Sequence, residues 1–256
     1  MLLAIDIGNT NIKLGVFDGD KLKVTWSLAT DIHRTADEYG GVLLNLMERE
    51  KVLSSKITGA VLCSVVPPLL PIFLELCRKY LAIKPLIVEA GVKTGMRIRL
   101  DNPREVGPDR VVNAVAALNL YGKPLIIIDL GTATTFDVVS KDGDYLGGAI
   151  APGIVIATEA LFTRTAALPR IRLSRPEKVI GRSTISAMQS GIIFGYIGLI
   201  ESMIRRIEEE LGCKAKIIAT GGQAHFLAQE IPAIEIINPD LTLIGLRLVY
   251  DMNKEQ

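Results

Sequence analysis

The sequence predicts an α/β protein built from two similar domains. A short glycine-containing motif occurs twice, as Asp6-Ile-Gly-Asn-Thr10 and as Asp129-Leu-Gly-Thr-Ala-Thr134, and each copy follows an apolar run. The second copy lies 123 residues after the first in a chain of 256 residues, so duplication of one domain is the simplest explanation. Segments with strand-like alternation and segments with helical periodicity follow one another along the chain, which is typical of α/β folds.

Each copy of the motif predicts a β-hairpin. The first leads into the alternating apolar positions Ile12, Leu14 and Val16, and the second leads into Phe136 and Val138. No helical pattern follows either glycine turn, whereas the P-loop and the dinucleotide-binding loop both need one. The sequence therefore excludes these two common phosphate-binding motifs.

The predicted helices have recognisable ends. A capping-box pattern at Thr35–Glu38 and glycines after two apolar stretches mark their limits. The helices are expected over 35–50, 67–81, 109–121 (closed by Gly122) and 184–211 (closed by Gly212), and a strand over 217–220 precedes a short helix over 223–230. We place the domains at 1–115 and 116–256. The boundary is expected between Arg110 and Pro124, where the predicted helix 109–121 would cross it.

Composition excludes several classes of protein. Lys and Arg number 29 against 28 Asp and Glu, so the chain lacks the basic field that nucleic-acid binding needs. Three widely spaced cysteines, Cys63, Cys77 and Cys213, predict packed free thiols in a reducing compartment. Asp6 interrupts the N-terminal apolar run, and internal runs such as 192–200 are too short to span a bilayer. We therefore expect a cytoplasmic protein that binds no membrane.

The two hairpins are candidate phosphate sites. Backbone N–H groups of a glycine turn can surround phosphate oxygens, and Thr10, Asn11 or Thr132 can add donors. Asp6 and Asp129 supply the hard oxygen ligands that Mg²⁺ prefers. A single Asp-x-Gly-x-Thr could be ordinary turn chemistry. Two copies, each after a buried strand, favour a binding site.

Further motifs occur in a fixed order along the chain. They are Asn102-Pro-Arg-Glu-Val-Gly-Pro-Asp-Arg110, Asp129-Leu-Gly-Thr-Ala-Thr-Thr-Phe-Asp137, Gly147-Gly-Ala-Ile-Ala-Pro-Gly153, Gly181-Arg-Ser-Thr-Ile-Ser-Ala-Met-Gln-Ser-Gly191 and Thr220-Gly-Gly222. With the hairpins, they resemble the acetate and sugar kinase, chaperone and actin superfamily, and within it the type III pantothenate kinase family. The resemblance implies two duplicated ribonuclease-H-like (actin-like ATPase) domains with a central cleft.

The resemblance also implies roles for individual residues. Asp109 would be the catalytic proton acceptor, and Asp129 would bind a monovalent cation, K⁺ or NH₄⁺. ATP with Mg²⁺ would bind Asp6, Ile7, Gly8, Asn9, Thr10, Asn11, Ile12, Lys13 and Thr132, with Asp6 as a metal ligand. Pantothenate would bind Gly107, Pro108, Asp109, Arg110 and Thr184. A homodimer is also implied.

Two residues of the substrate segment keep an alternative explanation. Asp109 could be an ordinary acid in the first turn of a helix, where it favours the helix dipole. Arg110 could pair with the pantothenate carboxylate or be a solvated helix charge. The resemblance, rather than the local pattern, favours the functional role for both.

The preferred function is a kinase that converts ATP and pantothenate to 4′-phosphopantothenate, the first step of coenzyme A biosynthesis. One alternative is a non-catalytic ATP-binding regulatory or actin-like switch protein of the same fold. Another is an inactive relative of the kinase family, which we would expect to lack Asp109 or Asp129. Both residues are present.

Overall fold

The chain forms two compact units. The computed structural model describes residues 1–254, and its contacts group residues 1–120 with the C-terminal segment from Asp240 as unit 1, and residues 121–239 as unit 2. The division differs from the predicted 1–115 and 116–256. The last helix belongs to unit 1 because it packs against three strands of the N-terminal sheet.

Unit 1 is a five-stranded mixed sheet with four helices. The sheet order is β3-β2-β1-β4-β5, with β1 antiparallel to β2 and parallel to β4. The elements are β1 (Leu2–Ile7), β2 (Asn11–Asp18), β3 (Lys21–Ala29), α1 (Ala36–Arg49), β4 (Gly59–Ser64), α2 (Leu70–Leu76), β5 (Leu86–Ile87), α3 (Pro108–Tyr121) and α7 (Leu241–Asn253). Tyr121 alone of these residues is counted in unit 2.

Unit 2 repeats this topology. Its sheet order, β8-β7-β6-β9-β10, matches that of unit 1 strand for strand, and β6 is likewise antiparallel to β7 and parallel to β9. The elements are β6 (Leu125–Leu130), β7 (Ala133–Val139), β8 (Tyr145–Pro152), α4 (Ile154–Thr163), α5 (Thr184–Leu211), β9 (Lys216–Thr220), α6 (Ala224–Ala228) and β10 (Ile236–Ile237). The predicted duplication of an α/β domain is confirmed.

The capping signals located the helices well. Thr35 and Glu38 form the predicted capping box of α1, and Gly212 ends α5 in the left-handed conformation. The segment 67–81 is helical but irregular: a 3₁₀ turn leads into α2, which ends in a π-helical turn. Helices α4 and α7 were not predicted.

The central strand β1 of the unit 1 sheet is covered on both faces. Leu3, Ile5 and Ile7 of β1 face a core that includes residues of α1 and α2. Leu2 and Ala4 face the opposite core, to which α3 and α7 contribute. Because side chains alternate along a strand, Asp6 lies on the face that α3 and α7 cover.

Helix α5 is the one helix within residues 1–254 that is long and apolar enough to cross a membrane. Its 28 residues extend well beyond the apolar run 192–200 on which the sequence argument relied. Residues Ile192, Ile193 and Ile200 are buried in the core of unit 2. A core helix of a soluble protein passes the same test, so the length of α5 is weak evidence for a membrane span.

Candidate active site

The first hairpin, residues 2–18, has a tight and well-bonded turn. The Gly8 N–H donates to the Asn11 carbonyl at 3.1 Å, and the Thr30 hydroxyl donates to the Gly8 carbonyl at 2.6 Å. A side chain at Gly8 would place its Cβ 2.9 Å from the Asn11 oxygen. Asn9, Thr10 and Asn11 are exposed, so the predicted phosphate-binding turn is open to a ligand.

Asp6 stands at the end of β1 with a polar group on each neighbouring strand. Lys13 on β2 and Cys63 on β4 are its register partners, and the Cys63 thiol donates to Asp6 Oδ1 at 3.4 Å. Burial and the nearby Asp109 carboxylate raise the pKa of Asp6 to about 6, and Lys13 acts in the opposite direction. Burial and the same two carboxylates raise the pKa of Cys63, so the thiol keeps its proton.

Asp109 lies in the first turn of α3. Pro108 occupies the first helical position, where its fixed φ and missing N–H are tolerated. The Asp109 carboxylate folds back over Gly107, since a Cβ on that glycine would lie 2.5 Å from Oδ1. Burial raises the pKa of Asp109, and the N–H and charge of Arg110 oppose the shift.

Packing of α3 explains why Asp109 and Asp6 come near each other. Val111, Val112 and Val115 bury one side of α3 against the sheet face that carries Asp6. The N-terminus of α3 is thereby held at the carboxyl end of β1, close enough for Asp109 to raise the pKa of Asp6. The structure therefore brings together, within unit 1, the predicted base and the first predicted metal ligand.

A cavity of about 560 Å³ opens in unit 1 beside the predicted substrate segment. Pro108, Val106 and Arg104 line one side, and Ser64, Val88 and Thr94 lie among the other lining residues. This volume falls in the range that small-molecule sites occupy. Pro108 therefore connects the predicted substrate segment 107–110 with this cavity.

The second hairpin, residues 125–139, has the same turn with one residue fewer. The Gly131 N–H donates to the Ala133 carbonyl at 3.1 Å, and the Thr132 carbonyl accepts from Gly153 at 3.1 Å. Thr132 itself is exposed. The first hairpin has the corresponding bond from Thr30 N–H to the Thr10 carbonyl at 3.0 Å.

Two glycines lie close to the Asp129 carboxylate. A Cβ on Gly221 would lie 2.4 Å from Asp129 Oδ1, and one on Gly131 would lie 3.2 Å away. Thr220, its register partner on β9, is fully buried, and its hydroxyl has no hydrogen-bond partner within residues 1–254. A carboxylate and an unsatisfied hydroxyl side by side can both supply oxygen ligands to a cation.

Thr184 is the first residue of α5. It follows the N-cap Ser183, whose hydroxyl accepts from Ser186 N–H, and it is exposed. Thr184, Thr132 and Asp129 belong to unit 2, and the segments 6–13 and 107–110 belong to unit 1.

The described part of the chain contains no group of three or more His, Cys, Asp or Glu that could hold a metal ion by itself. Mg²⁺ in phosphotransferases is commonly held by one or two carboxylates, with phosphate oxygens and water completing its shell. Asp6 fits this role, because it is a hard oxygen ligand beside an exposed turn.

The contact of Cys63 with Asp6 was not predicted from the sequence. The expectation that all three cysteines are packed thiols is wrong for Cys213, which is exposed, whereas Cys63 and Cys77 are buried. Cys213 lies just past the end of α5, outside the core. The contact of Cys63 depends on strand register across 57 residues, which no local pattern reveals.

Two repeated sheets, each with a carboxylate near the end of its central strand, define the duplicated ribonuclease-H-like fold of actin-like ATPases and sugar kinases. Solved structures with the same fold include a Baf family protein from Campylobacter jejuni (20% identity, TM-score 0.63, 98% of each chain). An inorganic polyphosphate/ATP-glucomannokinase from Arthrobacter is also similar (15% identity, TM-score 0.53, 99% of each chain).

Sequence comparison identifies the family. The family model for type III pantothenate kinase matches residues 2–206. A type III pantothenate kinase from Moorella thermoacetica is 53% identical over 99% of this chain and 100% of its own length. One from Geobacillus kaustophilus is 50% identical over 100% of this chain and 99% of its own length. The chain belongs to the type III pantothenate kinase family.

Proposed function

We propose that the protein transfers the γ-phosphoryl group of ATP to the primary hydroxyl of pantothenate. The product is 4′-phosphopantothenate, and the reaction is the first step of coenzyme A biosynthesis. The observation that carries the proposal is the position of Asp109, half-buried in the first turn of α3 and near Asp6, in a chain of this kinase family.

Asp109 accepts the proton of the pantothenate hydroxyl. Phosphoryl transfer to an alcohol is helped by a carboxylate that orients the hydroxyl and takes its proton. The first turn of a helix packed on the sheet is a rigid place for such a group, and burial brings the pKa of Asp109 closer to neutral pH. Arg110 pairs with the carboxylate of pantothenate. Gly107 and Pro108 shape the backbone beside the substrate.

The first hairpin binds the phosphates of ATP through its exposed turn, residues 8–11, and Lys13. Asp6 would hold the Mg²⁺ that accompanies ATP, and when bound this ion neutralises charge on the phosphates. The Cys63 hydrogen bond fixes one oxygen of Asp6. Thr132, which is exposed in the turn of the second hairpin, provides a further contact with ATP.

Asp129 binds a monovalent cation. Its carboxylate adjoins the unsatisfied Thr220 hydroxyl, and the positive φ of Gly221, +94°, lets the backbone approach closely. We expect K⁺ or NH₄⁺ to support turnover and Na⁺ to fail. Equal rates in sodium-only and potassium-only buffers of matched ionic strength would contradict this assignment.

Coupled ADP release, measured with and without pantothenate, tests the function. A kinase releases ADP only when pantothenate is present, with 4′-phosphopantothenate formed in equal amount. Release that ignores pantothenate would instead indicate an ATP-driven actin-like switch. ATP binding without release under either condition would indicate a regulatory relative that has lost turnover.

Thr184 provides a further contact with pantothenate. The protein acts in the cytoplasm, and it does so as a homodimer. Gly191, Gly195 and Gly198 lie on one exposed face of α5, and apart from chain neighbours and the nearby backbone of α5 itself, no atom within residues 1–254 lies within 4 Å of a Cβ built on any of them. This leaves room for a second copy to approach the helix. Light scattering should give about twice the 27.8 kDa chain mass. A monomeric mass would contradict the dimer.

A further inference from the structure

Two buried side chains occupy matching positions in the repeated sheets. Cys63 is the parallel-strand register partner of Asp6, and Thr220 is the parallel-strand register partner of Asp129. Both are fully buried, and both can donate a hydrogen bond. Each hairpin carboxylate therefore has a buried potential donor beside it on the same face of its sheet.

Cys63 makes this contact directly. Its Sγ lies 3.4 Å from Asp6 Oδ1, a distance suited to a sulfur donor, and the protonated thiol can only donate to a carboxylate. The other face of Asp6 is bordered by Lys13 on β2. The thiol thus contacts one of the two carboxylate oxygens of Asp6.

Cys77 shows what a merely packed thiol looks like in the same unit. It is as fully buried as Cys63 but lies in the core on the other face of the sheet. Burial is the only cause that raises the pKa of Cys77, to about 12, whereas two carboxylates also act on Cys63. The difference separates a thiol that fills space from one that also contacts a functional carboxylate.

We propose that Cys63 is a positioning residue that orients the Asp6 carboxylate for the metal–nucleotide complex through its S–H···O hydrogen bond. This inference rests on the proposed function, in which Asp6 holds the Mg²⁺ of ATP. A metal ligand is commonly oriented by such an outer partner, and loss of the partner typically lowers metal affinity or activity 10- to 100-fold. The thiol is a weak donor, so we expect the lower end of that range.

The test compares four variants with the wild-type protein. Cys63→Ala removes the donor and leaves a small cavity, Cys63→Val removes the donor but fills the space, and Cys63→Ser keeps a donor. Cys77→Ala is the matched control for loss of a buried thiol. For each variant we would measure kcat, KM for pantothenate, the Mg²⁺ concentration that gives half-maximal rate at fixed ATP, and the thermal unfolding midpoint.

We expect Cys63→Ala and Cys63→Val to need about 10-fold more Mg²⁺, with an unchanged KM for pantothenate. Cys63→Ser should restore most of the wild-type response, and Cys77→Ala should keep it despite a lower unfolding midpoint. If Cys63→Ala does not fold, Cys63→Val carries the test, because its side chain fills the site.

The proposal would be overturned if Cys63→Val required the same Mg²⁺ concentration for half-maximal rate as the wild-type protein. It would also be overturned if Cys63→Ser required as much Mg²⁺ as Cys63→Val. An equal change in Cys77→Ala would also overturn it, because packing alone would then account for the effect. Failure of the proposed function is distinguishable, since the wild-type protein itself would then release no ADP in response to pantothenate.

Discussion

The two hairpins share a backbone design and differ in what surrounds their carboxylates. In both, a glycine N–H closes the turn, and the carbonyl of Thr10 or Thr132 accepts from the residue that follows the third strand. Asp6 has a lysine, a thiol and a second carboxylate nearby. Asp129 has the Thr220 hydroxyl and two close glycines.

The proposed roles would make the duplicated domain one scaffold for two kinds of site. The first hairpin carries the charged groups and adjoins Asp109, so it suits metal-bound phosphate and proton transfer. In the second, the Thr220 hydroxyl and the Asp129 carboxylate can both contribute oxygen ligands to the monovalent cation proposed above.

Asp109→Asn should have the largest effect and would test whether the first hairpin is the chemical site. General-base catalysis is typically worth about 10² to 10⁴ in rate, so turnover should fall by that order while ATP still binds. If Asp109 is only a helix-start acid, the loss should appear as about 1 kcal/mol or less of stability. Pantothenate-dependent ADP release and thermal unfolding on one preparation separate the two outcomes. Asp142→Asn, in an exposed turn of unit 2, is the control and should behave as wild type.

Asp6→Asn and Asp129→Asn test the two carboxylates against each other. Each should lower kcat by about 10² to 10³, because each removes a charge that complements the reacting phosphates or their cations. Asp6→Asn should alter the Mg²⁺ requirement, and Asp129→Asn should alter the response to K⁺. Full activity of both variants at saturating Mg·ATP would contradict the proposal that the two hairpin carboxylates form part of the active site. The same metal response in both would mean that the hairpins are not specialised.

The pH dependence of stability should distinguish Asp6 from an ordinary carboxylate. Its pKa rises from 3.8 to about 6 on folding, so the folded state binds the proton more tightly than the unfolded state. Stability from this group is present below pH 3.8 and is lost as pH rises to about 6, an effect of roughly 3 kcal/mol. Without metal or nucleotide, Asp6→Asn should therefore be more stable than wild type at pH 8 and equal to it at pH 4. If Asp6→Asn and wild type have the same unfolding free energy at pH 4 and also at pH 8, then the charged form of Asp6 does not destabilise the folded protein.

Local signals were sufficient for the hairpins and for four helices. Turn glycines, capping side chains and alternation act over a few residues, so 6–10, 35–38 and 184–212 could be interpreted directly. The N-cap of helix α4 is Gly153, which has no side chain to cap the helix. Helix α7 also lacks a side-chain cap, and its place in unit 1 depends on tertiary contacts such as Gly245 against the Val112 carbonyl.

The contacts of the candidate site residues could not be predicted from the sequence. Motif resemblance assigns roles to Asp6, Asp109 and Asp129, which remain predictions, but the environment of each is set by strands and helices distant in sequence. Cys63 meets Asp6 only through parallel pairing of β1 with β4, and Thr220 meets Asp129 only through pairing of β6 with β9. Register between distant strands is fixed by packing of whole faces, which a single motif does not encode.

The smallest predicted effect is that of Gly221→Ala, which should change the second hairpin and leave the first hairpin unchanged. Gly221 has a φ of +94°, and its Cβ would lie 2.4 Å from Asp129 Oδ1, whereas a Cβ on Gly222 would have nothing within 4 Å. Gly221→Ala should cost about 1 to 3 kcal/mol in backbone strain and displace the Asp129 carboxylate. Activity should then fall about 10-fold, with a changed K⁺ response and an unchanged Mg²⁺ response. Gly222→Ala is the matched control and should retain wild-type activity and melting temperature. If both variants behave alike, the close approach of Gly221 to Asp129 is not what shapes the second site.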